Sequence, residues 1–467
     1  MTDLLKLSSE QRKTVFEQAA MKAGLPAKAI EKDWWVTLTL KALFTGAYSE
    51  YIIFKGGTSL SKCWNLIERF SEDIDISLDS KAFGVEYLES PSGGQIGNLR
   101  KKGCAFTTNV LKVDIQSQFE KLGIPLNTIK VEAAQIREKV PDTDPQTLYV
   151  NYESLFDRNQ YLADQVKIEV SVKPLKEPKA VVKVQSILSV EFPNDAYSEE
   201  PFEVTAVEAH RTFMEKMFLL HEEFQKKDID KIKKDRMSRH IYDLVRMMDA
   251  EPGKKALEDE ELYTTIIRHR SNYNKMPQVD YATHEKAIIS FIPPVGVMYA
   301  YENDYSKMRE TMIYGEAPDF KSLITQLLEL LSRLRTLSGK DIFQEQFEPI
   351  QGKYIRWWED DKIKGNNRVF AKAAIEYISN NKLSINVLTF IQYSKNEYGI
   401  EYAKDRVENW EGEIIMETET TGTIVWKQTN PNNGSAGIKK IIISNDRNGI
   451  TLVGEKNFGM EYFSERE

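Results

Sequence analysis

The spacing of apolar positions along the chain predicts a succession of strands and helices. Apolar residues at helical spacing predict two helices over 9–44, separated at Gly24-Leu25-Pro26, and further helices over 103–122, 211–224, 238–250 and 319–334. Short apolar runs predict strands at 51–55, 73–78 and within 161–172. Strands concentrated before residue 200 and helices after it predict an α+β fold.

Glycines mark two of the predicted connections. Gly56-Gly57-Thr58-Ser59 follows the strand at 51–55 and leads into a predicted helix over 56–67. The stretch 89–97 combines glycine, serine and proline, and is predicted to be a mobile loop.

The C-terminal part of the chain has a different pattern. Residues 368–399 have helical spacing, and short strands separated by turn residues follow position 411. The sequence therefore predicts three domains: a catalytic domain over 1–200, a helical domain completing the site over 201–340, and an extra α/β tail of unknown role over 341–467.

Composition and charge exclude several classes of protein. The 467-residue chain is 41% hydrophobic and carries a formal net charge of -8, so any nucleic-acid site must be a local basic patch. Its two cysteines, Cys63 and Cys104, form no zinc-binding pattern and indicate a reducing compartment. Neither a signal peptide nor a membrane-spanning apolar run is apparent, which predicts a cytoplasmic protein without a membrane partner.

The strand at 73–78 carries two aspartates on one face. Residues two apart in a strand point the same way, so Asp73 and Asp75 project together while Ile74 and Ile76 pack on the other side. Two adjacent carboxylates repel unless a cation lies between them, and Mg²⁺ is the ion that carboxylates and phosphates hold together. The alternative is a solvated edge strand.

The glycine turn and a third carboxylate strengthen the magnesium interpretation. Gly56 and Gly57 would let a phosphate approach the backbone closely, although Thr58 or Ser59 would serve equally as a helix N-cap. Glu169 lies on another predicted strand and is a candidate third acid of a two-metal phosphoryl-transfer centre. Its alternative is an ordinary polar strand face.

Taken together, these segments resemble the AbiEii/AbiGii abortive-infection toxins, a branch of the polymerase-β-like nucleotidyltransferase superfamily. The resemblance spans about 10–335 and rests on six segments: EKDWWVTLTLKALF (31–44), FKGGTSLSKCWNLIERFSEDIDISLD (54–79), KIE (167–169), RTFMEKMFLLHEEF (211–224), RHIYDLVRM (239–247) and DYSKMRETMIYGEAPDF (304–320).

The resemblance implies a polymerase-β-like mixed sheet and a role for each motif. Catalytic residues would be Asp73, Asp75, Glu169, Lys216 and Asp243, with the first three holding Mg²⁺, or Mn²⁺ as its substitute. Nucleoside-triphosphate (NTP) contacts would come from Lys55, Gly56, Gly57, Thr58, Ser59, Lys62, Ser71 and Lys216. From spacing alone, Lys216 is equally a solvated helix lysine, and Asp243 an ion-pair partner of Arg239 or Arg246.

A basic stretch precedes Asp243 and is a candidate RNA contact. Its cations are Lys226, Lys227, Lys231, Lys233, Lys234, Arg236 and Arg239. Such a stretch would bind a phosphate backbone electrostatically, although a solvated helix and loop face explains the same charges.

The resulting hypothesis is a Mg²⁺-dependent toxin that transfers a nucleotide from an NTP to the 3′ end of tRNA, with a cognate antitoxin, in phage defence or growth control. Two rivals stay open: transfer to a protein or small molecule, and binding of RNA or a partner without turnover.

Overall fold

The computed structural model describes residues 2–125, 127–136, 140–157, 163–172 and 178–337, and beyond them the backbone of the strands between 352 and 466. The chain divides into two compact units. The first consists of Met1–Tyr281 with Ala300–Pro318, and the second of Ala282–Tyr299 with Asp319–Glu467. The three-domain division inferred from the sequence stays a prediction.

Twelve α-helices lie within the described part of the first 340 residues. They are α1 (Ser9–Ala23), α2 (Ala27–Thr45), α3 (Gly56–Lys62), α4 (Gly93–Phe106), α5 (Lys112–Lys121), α6 (Ile187–Glu191), α7 (Ala209–Phe224), α8 (Ser238–Met247), α9 (Glu251–Glu258), α10 (Glu260–Tyr273), α11 (Val295–Thr311) and α12 (Phe320–Thr336). In the described residues none of these helices is long and apolar enough to cross a membrane.

A seven-stranded mixed sheet forms the centre of the first unit. Its strands are β1 (Ile52–Lys55), β2 (Ile74–Leu78), β3 (Ile129–Ala133), β4 (Gln146–Tyr152), β5 (Gln165–Ser171), β6 (Lys179–Val184) and β7 (Phe202–Val207), in the order β3-β4-β5-β2-β1-β7-β6. The pairs β2–β5 and β1–β7 are parallel, and the others are antiparallel. The predicted α+β class is confirmed, and the polymerase-β-like assignment stays a prediction.

The core of this unit explains which side of β2 is available for chemistry. Ile74 and Ile76 are fully buried, in one hydrophobic cluster with Trp34 and Leu38 of α2 and Ile168 of β5. Because side chains alternate along a strand, the burial of the two isoleucines directs Asp75, which lies between them, and Asp73, just before Ile74, to the opposite face. The hydrophobic core thus fixes the orientation of the predicted site.

Two predicted boundaries near the site are wrong. Helix α3 ends at Lys62 and does not continue to 67. The predicted loop over 89–97 becomes helical at Gly93, because Ser92 and Gln95 form a capping box in which the Ser92 hydroxyl accepts from the Gln95 N–H. Reciprocal capping of this kind outweighs the poor helix propensity of the two glycines that follow Ser92.

The helical prediction over 368–399 is also wrong, because strands lie there. The second unit contains a nine-stranded antiparallel sheet in the order β15-β14-β13-β12-β11-β10-β9-β8-β16. Its strands are β8 (Gly352–Glu359), β9 (Arg368–Ser379), β10 (Lys382–Asn396), β11 (Gly399–Thr418), β12 (Thr421–Gln428), β13 (Ala436–Ile443), β14 (Ile450–Gly454), β15 (Glu461–Phe463) and β16 (Glu465–Arg466). The alternation in Ser384-Ile385-Asn386-Val387 is the period-two signal that the helical interpretation missed. The predicted turns at 430–437 and 445–449 lie largely outside the described residues.

Candidate active site

The glycine turn after β1 lies directly against the β2 carboxylates. Lys55 pairs with Asp75 across the antiparallel β1–β2 ladder, so Gly56 follows at the same level. Gly56 has a φ of +77°, and a Cβ atom there would lie 2.8 Å from Asp75 Cγ. Both the left-handed backbone and the close approach require glycine.

Three carboxylates share the face of the sheet opposite the core. Asp73 and Asp75 alternate with the buried isoleucines of β2, and Glu169 occupies the register position beside Asp75 on the parallel strand β5. Glu169 also pairs with the ammonium of Lys167. The structure therefore brings together the three acids that the sequence and the resemblance singled out.

Burial and mutual repulsion set the protonation of these acids. Burial and the neighbouring Glu169 carboxylate raise the pKa of Asp75 to about 7. Burial, followed by the charge of Glu72, raises the pKa of Asp73. Burial works in the same direction at Glu169, but Lys167 outweighs it and lowers the pKa of that group. Without a cation, this face holds an ionised glutamate beside an aspartate that is half protonated near neutral pH.

The donor set of this face fits a hard divalent cation held jointly with a substrate. Among the residues described, no group of three or more His, Cys, Asp and Glu side chains is arranged to hold a metal ion by itself. Mg²⁺ usually takes one or two carboxylates, together with waters and phosphate oxygens. Asp73 and Asp75 match that requirement, and a cation would offset both the burial and the Glu169 repulsion that raise the pKa of Asp75.

A second cluster lies beside the carboxylate face and consists of two cations around one fully buried acid. Asp243 on α8 accepts from Arg69 at both oxygens, at 2.7 Å from Nε and 2.8 Å from Nη2. Lys216 on α7 approaches Asp243 Oδ2 to 2.8 Å. Burial opposes ionisation of Asp243, but Arg69 and Lys216 outweigh it and hold its pKa well below the usual range. Asp243 is therefore a permanent anion that positions two cations, and the predicted pairing with Arg239 or Arg246 is replaced by these contacts.

Arg69 joins this cluster to the glycine turn. A Cβ atom on Gly57 would lie 2.7 Å from Arg69 Nη2 and 3.1 Å from Ser71 Oγ. The second glycine of the turn is thus needed for the approach of the guanidinium. Sequence reasoning missed Arg69 because its partner Asp243 is 174 positions away, and its only local signal is its place just before the S-E-D-x-D segment.

Arg239 adds a further cation to the site. In the described part of the chain it forms no ion pair, and its Nε is buried without a hydrogen-bond partner. Burial and the nearby cations Arg69 and Arg236 lower its pKa. Burial also depresses the pKa of the adjacent His240 well below its usual value, so that this imidazole is neutral. Arg239 is therefore placed to pair with an incoming anion.

One cavity of about 540 Å³ joins these groups. The predicted site residues in its wall are Lys55, Gly56, Gly57, Ser71, Asp73, Asp75, Glu169, Lys216, Lys233 and Arg239. Wall residues that the sequence did not indicate include Arg69, Arg211, Glu215, His269 and Arg270. Carboxylates and cations thus face the same space, as a metal and a polyanion together would require.

Three residues predicted to contact the nucleotide lie outside the cavity wall. Thr58 Oγ1 lies 2.9 Å from Ser71 Oγ, and Ser59 Oγ donates to the Gly56 carbonyl at 2.9 Å. Lys62 pairs with Asp33 of α2, with 2.6 Å between Nζ and Oδ1. Thr58 and Ser59 thus stabilise the turn, and Lys62 joins α3 to α2.

The basic stretch divides between the cavity and the surface. Lys233 and Arg239 line the cavity, and Arg236 pairs with Glu72 at 2.9 Å. The ion pairs of the other cations are local ones: Lys226 with Glu223, Lys231 with Asp228, and Lys234 with Asp230. Lys227 is exposed. The stretch as a whole is not one continuous cationic surface.

Comparison with known proteins identifies one family. A family model described as nucleotidyl transferase AbiEii toxin, type IV TA system, matches residues 39–326. The match begins within α2, ends within α12 and includes every residue of the cavity wall. No curated protein and no solved structure matches the chain.

Proposed function

The chain belongs to the AbiEii nucleotidyl transferase toxin family, as its motifs predicted, and on this premise we propose that it transfers a nucleoside monophosphate from an NTP to the 3′ end of tRNA. Membership makes the chain a nucleotidyltransferase toxin with an antitoxin partner. The use of magnesium, of a nucleoside triphosphate and of an RNA acceptor is what we propose beyond family membership.

One observation carries the proposal: a face of carboxylates and a cluster of cations line the same cavity on either side of a double-glycine turn. A triphosphate needs both, because a metal and fixed cations must neutralise it together.

Different residues of the cavity wall would bind the metal ion and the triphosphate. Asp73 and Asp75 would hold Mg²⁺, with Mn²⁺ as its substitute, and Glu169 would be the third acid. The bound ion supplies a positive charge that stabilises the reacting phosphoryl group. Gly56 and Gly57 allow Asp75 and Arg69 to approach the turn closely, and Lys216, Arg69 and Arg239 would face the anion.

The proposed reaction is an in-line displacement. A hydroxyl of the acceptor gives up its proton, for which the Glu169 carboxylate is the candidate base, attacks the α-phosphorus and forms a new P–O bond. The bond from the α-phosphorus to its bridging oxygen breaks, and pyrophosphate leaves. Catalysis comes mainly from positioning and from neutralisation of charge, so the loss of a single carboxylate should be severe.

The test is to incubate the purified chain with each labelled NTP, Mg²⁺ and total tRNA, and to sequence the 3′ ends of the products. Wild type should label RNA, and Asp73→Asn and Asp75→Asn should not, whereas the exposed control Asp195→Asn should match wild type. Full transfer by Asp75→Asn would overturn the mechanism. Labelled protein or small molecule in place of RNA would replace the acceptor and leave nucleotidyl transfer standing.

The biological setting is proposed from the family alone. A toxin of this kind would act in the cytoplasm in phage defence or growth control, restrained by its cognate antitoxin. Expression of wild type should arrest growth, and expression of Asp75→Asn should not, with co-expression of the neighbouring gene as the test for the antitoxin.

A further inference from the structure

A second cavity, of about 290 Å³, lies next to the candidate active site along α10. Tyr273, at the end of α10, lines this cavity, while His269, Arg270 and Asn274 line the large cavity. The two cavities are therefore separated by less than one helical turn. A strand of nucleic acid whose end lies in the first cavity would pass the second.

Aromatic rings connect the two cavities. His269 and Tyr273 stack with ring centroids 4.7 Å apart and an interplanar angle of 18°. Tyr87 and Tyr273 stack with centroids 5.7 Å apart and an angle of 12°. Tyr87 is 42% exposed, so this residue is accessible to solvent while its ring stacks on Tyr273. An exposed ring at the end of a stack is a platform for another planar group.

The loop that carries Tyr87 is held in place by α10 and α4. The Tyr273 hydroxyl donates to the Leu88 carbonyl, and Asn272 Nδ2 donates to the Glu89 carbonyl at 2.9 Å. Arg100 of α4 donates to the Tyr273 carbonyl at 2.8 Å. The ring is thus presented by fixed backbone, which lowers the entropy lost when a ligand stacks on it.

The second cavity is lined by Glu86 and Leu88, which flank Tyr87 in the chain, and by a polar stripe on α4. Gln95, Asn98 and Lys102 are three and four positions apart, so they share one helix face, and all three are exposed and line the cavity. Side-chain amides recognise base edges, and an ammonium pairs with phosphate. In the described residues neither Lys102 nor its neighbour Lys101 forms an ion pair, which leaves cationic charge available on this helix.

We propose that the Tyr87 ring and the α4 stripe form a binding site for a nucleobase and phosphate of a single-stranded RNA acceptor, next to its reacting 3′ end. Single-stranded RNA is recognised by this combination of aromatic stacking, amide hydrogen bonds and backbone charge. The inference rests on the proposed function and specifies where its acceptor binds.

The proposal is tested by binding and by steady-state kinetics on the full chain. The probes are a labelled mixed-sequence single-stranded RNA and total tRNA, with MgNTP affinity measured in parallel. Tyr87→Ala should weaken RNA binding and raise the KM for RNA by about tenfold, because one base stack is lost. Tyr87→Phe keeps the ring and should stay within about twofold of wild type. MgNTP affinity should not change in either variant.

Two further variants separate the parts of the site. Lys102→Ala should lower the dependence of RNA affinity on salt by about one phosphate contact. Tyr299→Ala removes a tyrosine that is 56% exposed outside this loop and should leave RNA binding unchanged. Unfolding curves for every variant exclude a general loss of structure.

The outcomes distinguish this site from the proposed function. Wild-type transfer to RNA with an unchanged KM in Tyr87→Ala would overturn the acceptor site alone. Nucleotidyl transfer to a protein, with no binding of RNA by wild type, would also overturn it and leave the chemistry intact. Absence of NTP binding and of any transfer by wild type would overturn the proposed function itself.

Discussion

The candidate active site has two acidic regions that differ in how their charge is balanced: the carboxylates in the cavity wall, and Asp243, which pairs with the wall residues Arg69 and Lys216. Asp243 is fully buried, yet both of its oxygens are paired with cations of the chain, and its pKa is lowered. Asp75 is partly exposed and lies beside Glu169, and burial together with the Glu169 carboxylate raises its pKa to about 7 although Lys55 opposes the shift. Asp243 and its two cations balance their charges within the chain, so they are part of the folded structure. A group of acids without enough neighbouring positive charge indicates a place where a ligand supplies that charge.

The largest effect on stability is expected from a substitution of Asp243. Asp243→Ala should lower the free energy of unfolding by roughly 3–5 kcal/mol, because Arg69 and Lys216 would be left buried without their counter-charge. Denaturant unfolding followed by circular dichroism measures this loss. Asp75→Asn serves as the paired variant and should not be destabilised.

An equal stability of the two variants would remove the distinction between a structural and a ligand-binding acid. Asp243→Asn sharpens the test, since it keeps the shape of the side chain and removes only the charge. It should still be destabilised by more than about 1 kcal/mol, because a buried charge is left unpaired.

The sequence could indicate the carboxylate face but not the cation cluster. Alternation in β2 is a local pattern, so Asp73 and Asp75 are recognisable from their immediate neighbours. Asp243, Arg69 and Lys216 come from three distant segments, and only the fold brings them together. The motif resemblance indicated Lys216 and Asp243 individually, without predicting that they pair.

The length of the local signal also explains why two secondary-structure elements are not predicted from the sequence. The start of α4 depends on one capping interaction between Ser92 and Gln95, which the glycines around it conceal. The alternation over 384–387 was short and was outweighed by apolar residues whose spacing also fits a helix. Short segments of this kind are ambiguous because both periods fit a few residues.

The next largest effect is expected at the glycine turn. Gly56→Ala would place a Cβ atom 2.8 Å from Asp75 Cγ on a backbone with a φ of +77°. Gly24→Ala is a matched control, since Gly24 has a φ of +67° but no atom within 4 Å of the added Cβ. The control should lose about 1–2 kcal/mol from backbone strain alone.

The difference between the two alanine variants isolates the contact with the carboxylate. Gly56→Ala should lose roughly a further 1–3 kcal/mol from crowding, and it should also lose nucleotide binding. Thermal unfolding and titration with a fluorescent NTP report the two effects. Matching stabilities would mean that Asp75 moves aside at little cost.

A smaller effect concerns pH, and it has opposite signs in the two acidic regions. The pKa of Asp75 is raised from 3.8, so its contribution to stability is present at low pH and is lost as the pH rises through about 7. The pKa of Asp243 is lowered, so its contribution is present above about 4 and is lost only on acidification.

In EDTA, Asp75→Asn should therefore gain stability relative to wild type at pH 8 and lose that advantage at pH 5. Differential scanning calorimetry at the two values measures the difference in Tm. Added Mg²⁺ should raise the Tm of wild type at pH 8 and have little effect on the variant, because binding to the native state stabilises it. An equal Mg²⁺ response in both would exclude Asp75 as a ligand.

The smallest expected effect is at the surface of the basic stretch. Lys231 and Asp228 form an ion pair at 3.2 Å between side chains that are 67% and 49% exposed, so Lys231→Ala should change stability by less than about 0.5 kcal/mol.

The same variant tests whether the exposed part of the basic stretch contributes to RNA affinity. If the exposed part of the stretch contacts the acceptor backbone, this variant lowers the salt slope of RNA affinity by about 1 and weakens binding equally for all sequences. An unchanged slope would exclude Lys231 and leave Lys227 on the surface, Lys233 and Arg239 in the cavity and Lys102 on α4 as the candidate cations. In the part of the chain that the structure describes these four form no ion pair, whereas Lys231 is already paired with Asp228. That result would mean that the acceptor is bound by cations that the fold leaves without an acidic partner.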